Sequence, residues 1–277
     1  MKESKIIYII FFITIIKITI TMLSADLKAN DAIILQSTTS AKNSGFYDLI
    51  LPKFKAETGI AISVVAVGTG AAIRNTKNCD GDMLIIHSPS LEKELVSSGY
   101  SKLRHDFMFN DFIIIGPISD PANINDLKDP ILAFEKIFKS GSFFLSRSDN
   151  SGTHVKEMFL WEKLGVDPQE YSGKWYLETG TGMGSTINTA IALGAYTLTD
   201  RATWLNFGNK GDFSILLEGN DFLHNPYAII VVNNKKCPKT KVKESIIFAN
   251  WLISKKVQKL ISSYKIEGKQ LFFPYLQ

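Results

Sequence analysis

The sequence has little excess charge of either sign. Its 277 residues include 31 lysines and arginines against 27 aspartates and glutamates, a formal net charge of +4 at pH 7. So weak a positive balance gives no broad electrostatic basis for binding nucleic acid or an anionic membrane surface. The hydrophobic share of 45% and the charged share of 21% are ordinary for a soluble protein with a sizeable core. The chain therefore suits one large domain or two lobes.

Cysteine is scarce, because only Cys79 and Cys237 are present. Neither lies near the N-terminus, so the acylated cysteine that tethers many exported bacterial proteins is absent. The two residues could pair in an oxidising compartment, but nothing in the sequence places them together. We therefore expect two separate buried thiols, with a disulfide as the alternative.

Long hydrophobic runs are absent except near the N-terminus. Residues 6–23 form an apolar run, interrupted by Lys17 and threonines, that precedes the small residues Ser24 and Ala25. This layout predicts a secretory signal peptide over residues 1–25, cleaved near Ala25. A retained membrane anchor is the alternative, but Lys17 would be costly in a membrane. Removing three lysines and one glutamate lowers the net charge from +4 to +2, and we expect the mature chain to be free in the periplasm.

Signatures of metal and nucleophilic catalysis are also missing. The four histidines are His87, His105, His154 and His224. They show neither an H-x-x-x-H spacing nor a mixed spacing with cysteine, so the sequence supports no zinc site. No G-x-S-x-G elbow exists, and Ser151 and His154, three residues apart, need not face each other as nucleophile and base. We expect no catalytic residue, no metal and no cofactor.

Three glycines, Gly180, Gly182 and Gly184, have the spacing G-x-G-x-G. A dinucleotide-binding loop has G-x-G-x-x-G instead, so a nucleotide cofactor is not indicated. We interpret the stretch as a loop that caps a helix over residues 186–193, with Ser185 or its N–H near a ligand.

Short β-branched runs alternate with stretches of helical period along most of the remaining chain. A strand over residues 32–36, for example, is followed by a polar loop and a helix that ends at Gly59. This alternation predicts an α/β fold with largely parallel sheets.

The chain is predicted to pass between two lobes at two places. A turn-rich segment begins at Pro117, and a further strand emerges near residue 224. We predict one lobe from residues 32–116 and 224–277 and a second lobe from residues 117–223. The hinge and a ligand cleft would lie between them, since open α/β sheets bind ligands outside the carboxyl ends of their strands.

The stretch SRSDNSGTH at residues 146–154 combines several short donors with one cation. It lies between a predicted strand ending at Leu145 and a predicted helix beginning near Thr153. The first N–H groups of a helix have no internal partner and carry the positive end of the helix dipole, so they bind anions. Arg147 can place two hydrogen bonds on an oxyanion, and Asp149 can hold its guanidinium. The stretch predicts an oxyanion site, with a helix cap and a surface salt bridge as the simpler alternative.

Two loops in the other predicted lobe have the same character. STTS at residues 37–40 follows the first strand, and GTG at residues 68–70 follows the second. Either loop alone is an ordinary turn signal. Because strand carboxyl ends meet at one edge of such a sheet, the three loops together indicate a shared site.

Short motifs are distributed in a fixed order along nearly the whole mature chain. They are TTS at 38–40, TGI at 58–60, VVAVGTG at 64–70, GDMLIIHSP at 81–89, NDFIIIGP at 110–117, SRSDNSGTH at 146–154, WYLETG at 175–180, GAYTLTDR at 194–201 and NPY at 225–227. In this order they resemble the periplasmic solute-binding proteins of tungstate ABC importers, relatives of molybdate- and phosphate-binding proteins. The resemblance implies a periplasmic-binding-protein type II-like fold. Its two α/β lobes would close on a dehydrated tetrahedral oxyanion and pass it to a permease in the inner membrane.

The resemblance also implies the ligand donors. They are Thr38, Thr39, Ser40, Thr69, Gly70, Arg147, Ser151, Gly152 and Thr153, with Tyr196 and Thr197 added by similarity to the molybdate binders. The sequence departs from the family at Ala41, Lys42 and Ser148, where a threonine or serine, a glutamine and often a glycine are usual. These departures leave the donors intact.

The ligand chemistry leaves alternatives open. Tungstate is a dianion near neutral pH, so a site made only of donors suits it, and molybdate has the same charge and nearly the same size. Phosphate carries a proton and needs an acceptor, for which Asp82 or Asp149 is available. A phosphate- or other oxyanion-binding protein, an exported anion sensor, and a secreted hydrolase or phosphotransfer enzyme are therefore the alternatives. We expect a monomer.

Overall fold

The computed structural model describes residues 32–266 and 268–275. The predicted signal peptide, residues 1–25, lies outside these ranges. In the described part, no helix is both long enough and apolar enough to cross a membrane.

The N-terminal part of the described chain alternates strands and helices as predicted. Its elements are β1 (Ile33–Thr38), α1 (Thr39–Asn43), α2 (Phe46–Thr58), β2 (Ile62–Val67), α3 (Thr69–Lys77), β3 (Met83–Ile86) and α4 (Pro89–Ser97). The helix α2 ends where Gly59 adopts a left-handed conformation with φ of 74°, which glycine enters without steric cost. These units place a hydroxyl-rich loop directly after β1 and another after β2.

A strand of 17 residues, β4 (Ser101–Pro117), then carries the chain across the molecule. It is followed by α5 (Pro130–Ser140), β5 (Phe144–Ser146), α6 (Gly152–Leu164), β6 (Tyr176–Glu178), α7 (Met183–Leu193), β7 (Thr197–Asp200), α8 (Arg201–Asn206) and β8 (Phe213–Leu217). The chain returns through β9 (His224–Val232) and ends with α9 (Val242–Leu252), α10 (Lys255–Ser263), β10 (Lys265–Ile266), β11 (Lys269–Gln270) and β12 (Phe273–Pro274).

The main sheet is mixed, so the prediction of largely parallel sheets was wrong. Its strand order is β12-β4-β9-β3-β1-β2, and β7 and β8 pair with the far end of β4. The pairs β1–β2 and β1–β3 are parallel, whereas β9 runs antiparallel to both β3 and β4. The molecule has two halves, one containing β1, β2 and β3 and the other containing β5, β6, β7 and β8. The sheet is mixed because β4 and β9, which link these halves, run in opposite directions.

The long strand β4 belongs to both halves. It pairs with β9 as far as Asp111 and with β7 and β8 from Phe112 onwards. Its side chains alternate between faces there. Phe112 and Ile114 join an aromatic core around α6, and Ile113 and Ile115 join the larger core that includes β1 and α2. One strand therefore ties the two cores together.

Cys79 and Cys237 form a disulfide, with Cα atoms 5.3 Å apart and a sequence separation of 158. The expectation of two separate thiols was therefore wrong. Cys79 lies in the turn before β3, and Cys237 lies in the turn after β9. Because β3 and β9 are antiparallel neighbours, these two turns meet at one end of the sheet.

Candidate functional site

The loops that follow β1 and β2 lie side by side. Thr38, the last residue of β1, pairs in register with Val67, the last residue of β2. Thr38 Oγ1 accepts a hydrogen bond from Ala41 N at 3.2 Å and caps α1, while its own proton remains for another acceptor. Thr38 and Ser40 are buried, and Thr39 is half-buried. This edge therefore presents several hydroxyl groups together.

A hydrogen bond joins this edge to the other half of the molecule. Thr69, the buried first residue of α3, accepts at Oγ1 from Gly152 N of α6 at 3.2 Å. The sequence predicts the Gly152 N–H as a ligand donor, but in the structure this N–H donates to Thr69. Gly152 therefore joins the two halves, and Thr69 keeps its own hydroxyl proton. Gly70, the next residue of α3, is half-buried.

Residues 146–154, here called the arginine loop, fold around an ion pair. Arg147 is only 2% exposed, and its Nη2 donates to Asp149 Oδ2 at 2.5 Å. Asp149 Oδ1 accepts from Ser151 N at 3.1 Å. Ser151 caps α6 by accepting from His154 N at 3.3 Å, which leaves its hydroxyl proton for another acceptor. Asp149 thus fixes the guanidinium beside the start of the helix.

Four buried polar atoms at these loops have no hydrogen-bond partner among the described residues. They are Arg147 Nε, Thr153 Oγ1, His154 Nε2 and Ser88 Oγ. A buried donor without an acceptor costs roughly 1–3 kcal/mol, so each would gain from an acceptor that a ligand supplies. Ser88 and His154 are not among the donors predicted from the sequence. Ser88 carried the same signal as the other loops, because it follows β3, the strand that pairs with β1.

Gly152 allows the two halves to approach closely. A methyl group at this position would lie 3.1 Å from the His87 carbonyl oxygen and 3.2 Å from His87 Cε1. His87 Nδ1 donates to Asn225 Oδ1 at 2.9 Å, since the Asn225 amide nitrogen is itself a donor to Asn110. Burial lowers the pKa of His87 below its ordinary value, so the ring is neutral at pH 7. Gly152 of one half therefore lies in close contact with a neutral histidine ring of the other half.

Three of the predicted donors do not belong with the buried, available hydroxyl groups of the loops. Ser185 is exposed on α7. The Tyr196 hydroxyl donates to Asp120 Oδ1 at 2.7 Å, and Thr197 Oγ1 donates to the Leu145 carbonyl at 2.7 Å. The bonds of Tyr196 and Thr197 use the protons that a ligand would need, and the exposed Ser185 lies apart from the buried donors, so we do not count these three residues among the proposed donors.

Asp82, one of the two acceptors considered for phosphate, lies at the opposite end of β1. Its two carboxylate oxygens accept from Ile34 N and Lys241 N, both at 2.8 Å. Ile34 is four residues before Thr38, which is roughly 13 Å along a strand. Asp82 therefore holds the far edge of the sheet and lies away from the hydroxyl loops.

Comparison with known proteins identifies the fold family. A model of the PBP superfamily domain matches residues 25–256. The chain belongs to the PBP superfamily. The tungstate-binding protein TupA of Peptoclostridium acidaminophilum is 39% identical over 251 residues, which cover 89% of this chain and 87% of that protein.

Two solved structures of the same fold are also similar. The tungstate-binding protein TupA from Desulfovibrio alaskensis G20 has a TM-score of 0.77 at 40% identity, over 89% of this chain and 99% of that chain. The tungstate ABC transporter structure from Geobacter sulfurreducens has a TM-score of 0.78 at 40% identity, over 84% and 99%. The predicted two-lobed α/β fold of the periplasmic-binding-protein type is confirmed.

In this PBP superfamily chain, the strand ends and the start of α6 bring together several donors and the buried guanidinium of Arg147. The carboxylate in direct contact with Arg147 is Asp149, and both of its oxygens already accept hydrogen bonds. A ligand that offers acceptors on all sides is therefore the chemical complement of the site.

Proposed function

We propose that this protein is the solute-binding component of a tungstate ABC importer and holds the tungstate dianion between its two lobes. The observation that carries the proposal is the pair of buried, unpartnered donors Arg147 Nε and Thr153 Oγ1, which belong to one loop and the helix that follows it. The TupA relatives, at 39–40% identity, support tungstate as the ligand.

The proposed donors come from both halves of the molecule. They are Thr38, Thr39, Ser40, Thr69 and Gly70 from the first half, and Arg147, Ser151 and Thr153 from the second, with Ser88 as an addition. A hydrogen bond to a charged group contributes about 1.5–3 kcal/mol. Six to eight such bonds contribute roughly 9–24 kcal/mol, and most of this range exceeds the ~12 kcal/mol of nanomolar binding, so that desolvation and lobe closure can consume a surplus. Molybdate, with the same charge and nearly the same size, fits the same donors.

Phosphate fits this donor set less well, because its proton requires a free acceptor. Asp82 holds the far edge of the sheet, and each Asp149 oxygen already accepts one bond, from Arg147 or from Ser151 N, and would have to accept a second one from phosphate. The arrangement also gives no support to hydrolysis or phosphoryl transfer, so we propose a transport role without catalysis.

The transport role implies a compartment and a partner. We propose that residues 1–25 are removed on export, and that the mature protein is a periplasmic monomer that delivers its ligand to a permease in the inner membrane. A disulfide such as Cys79–Cys237 persists in that oxidising compartment. We further propose residues 32–116 and 224–277 as one lobe and residues 117–223 as the other.

Titration calorimetry with tungstate, molybdate, phosphate and sulfate tests this function. We expect tungstate to bind with a Kd of about nanomolar order, and phosphate and sulfate to bind at least roughly a thousand-fold more weakly, a difference of about 4 kcal/mol. Phosphate affinity equal to or tighter than tungstate affinity would overturn the proposal.

A further inference from the structure

A buried carboxyl group lies beneath the arginine loop. Glu157 of α6 is 1% exposed, and each of its oxygens has a hydroxyl partner. Ser146 Oγ donates to Glu157 Oε2 at 2.8 Å, and Tyr176 OH donates to Glu157 Oε1 at 2.8 Å. The proposed oxyanion contacts do not use this carboxyl, so its burial calls for another explanation.

The carboxyl is connected to both parts of the site that supply donors. Ser146 Oγ also accepts from Ser148 N at 3.1 Å, so one hydroxyl bonded to Glu157 holds the backbone on both sides of Arg147. Thr153 and Glu157 are four residues apart in α6 and therefore lie on one face of the helix. Ser146 therefore links Glu157 to the backbone on either side of Arg147, and Thr153 lies one helical turn from Glu157.

Burial is the main influence on this carboxyl. It removes water and raises the pKa of Glu157 to about 7, although the hydroxyl bonds from Tyr176 and Ser146 lower it, and the negative charge of Glu178 on β6 adds a smaller increase. In the arginine loop, Arg147 already shares its charge with a carboxylate, and burial lowers the pKa of His154.

We propose that Glu157 is a positioning residue of the oxyanion site that takes up a proton from solvent when the dianion binds. This inference rests on the proposed function. Because Glu157 is bonded to Ser146, the neighbour of Arg147 in the chain, a dianion bound at Arg147 is expected to raise the cost of the ionised carboxylate and to favour the protonated carboxyl. By linkage, a carboxylate that must be protonated on binding weakens the affinity as the pH rises.

The test is calorimetry with tungstate at pH 6.5, 7.5 and 8.5, in buffers of different ionisation enthalpy. We expect the wild-type protein to take up roughly half a proton or more at pH 7.5, and its Kd to be roughly tenfold weaker at pH 8.5 than at pH 6.5. In Glu157→Gln, which keeps the size and an acceptor oxygen, we expect the proton uptake to fall near zero and the Kd to be similar at both pH values.

Two further variants separate this role from a merely structural one. Tyr176→Phe keeps the carboxyl but removes a donor to its charged form, so we expect the midpoint of the pH dependence to move upwards; this variant carries the test if Glu157→Gln does not fold. The exposed Glu170→Gln should match the wild type.

Tungstate binding without proton uptake, with equal pH dependence in wild type and Glu157→Gln, would overturn this inference alone. Absence of tungstate binding at every pH would overturn the proposed function and the inference with it.

Discussion

Replacing Arg147 with glutamine is expected to weaken tungstate binding by roughly a hundred- to ten-thousand-fold. A guanidinium can place two charge-assisted hydrogen bonds on an oxyanion, each contributing about 1.5–3 kcal/mol, and the loss of both is about 3–6 kcal/mol. Arg147 is buried with an unpartnered Nε, and residues 146–154 contain no other lysine or arginine that could replace it. Titration calorimetry of the variant measures the loss directly.

The stability of the ligand-free variant is the control. The variant loses the ion pair with Asp149, but it also removes a buried donor without a partner and leaves the bond from Ser151 N in place, so we expect the free energy of unfolding to fall by no more than about 3 kcal/mol. Arg147→Lys keeps the charge but loses the planar pair of donors, and should fall between wild type and Arg147→Gln. Unchanged affinity in Arg147→Gln would mean that this side chain is purely structural.

Replacing Gly152 with alanine is expected to weaken tungstate binding by roughly 5- to 150-fold without loss of stability. The added methyl group would lie 3.1 Å from the His87 carbonyl oxygen, a backbone atom that cannot rotate away. Overpacking of this kind costs about 1–3 kcal/mol, and here the cost applies when the start of α6 is held against His87. The proposed lobe closure implies that the lobes are apart in the ligand-free protein, where we expect the same substitution to be neutral or slightly favourable, because alanine has less freedom in the unfolded chain.

Gly184→Ala in α7 is the matched control, since a methyl group at this position would have no neighbouring heavy atom within 4 Å. Its affinity should equal that of the wild type. For both variants, calorimetry measures the tungstate affinity and urea denaturation measures the free energy of unfolding, so an effect on lobe closure can be distinguished from an effect on stability. If Gly152→Ala bound tungstate as tightly as Gly184→Ala, the approach of Gly152 to His87 would not be part of the bound state.

The features predicted correctly from the sequence are local ones. The hydroxyl loops after β1 and β2 and the arginine loop before α6 each carry their signal within a few residues: a β-branched run, short polar side chains, and a helical period that follows. The ion pair of Arg147 with Asp149 spans two residues, so the spacing alone indicated it. Parallel pairing of β1 with β2 then brings two of the loops together.

The features that were missed depend on distant parts of the chain. Cys79 and Cys237 meet because β3 and β9 pair, and the sequence contains no local sign of that pairing. The hydroxyls of Tyr196 and Thr197 look available as donors until the fold brings Asp120 and the Leu145 carbonyl to them. Such partners are chosen by tertiary packing, and residue type alone does not reveal them.

The most direct measurement is the anomalous scattering of tungsten in crystals grown with tungstate. We expect one strong peak between the arginine loop and the ends of β1 and β2, with oxygens within about 3 Å of donors on Arg147, Thr153 and Thr69. A tungsten peak elsewhere, or a tungstate ion in the cleft without contact to Arg147, would contradict the proposed site.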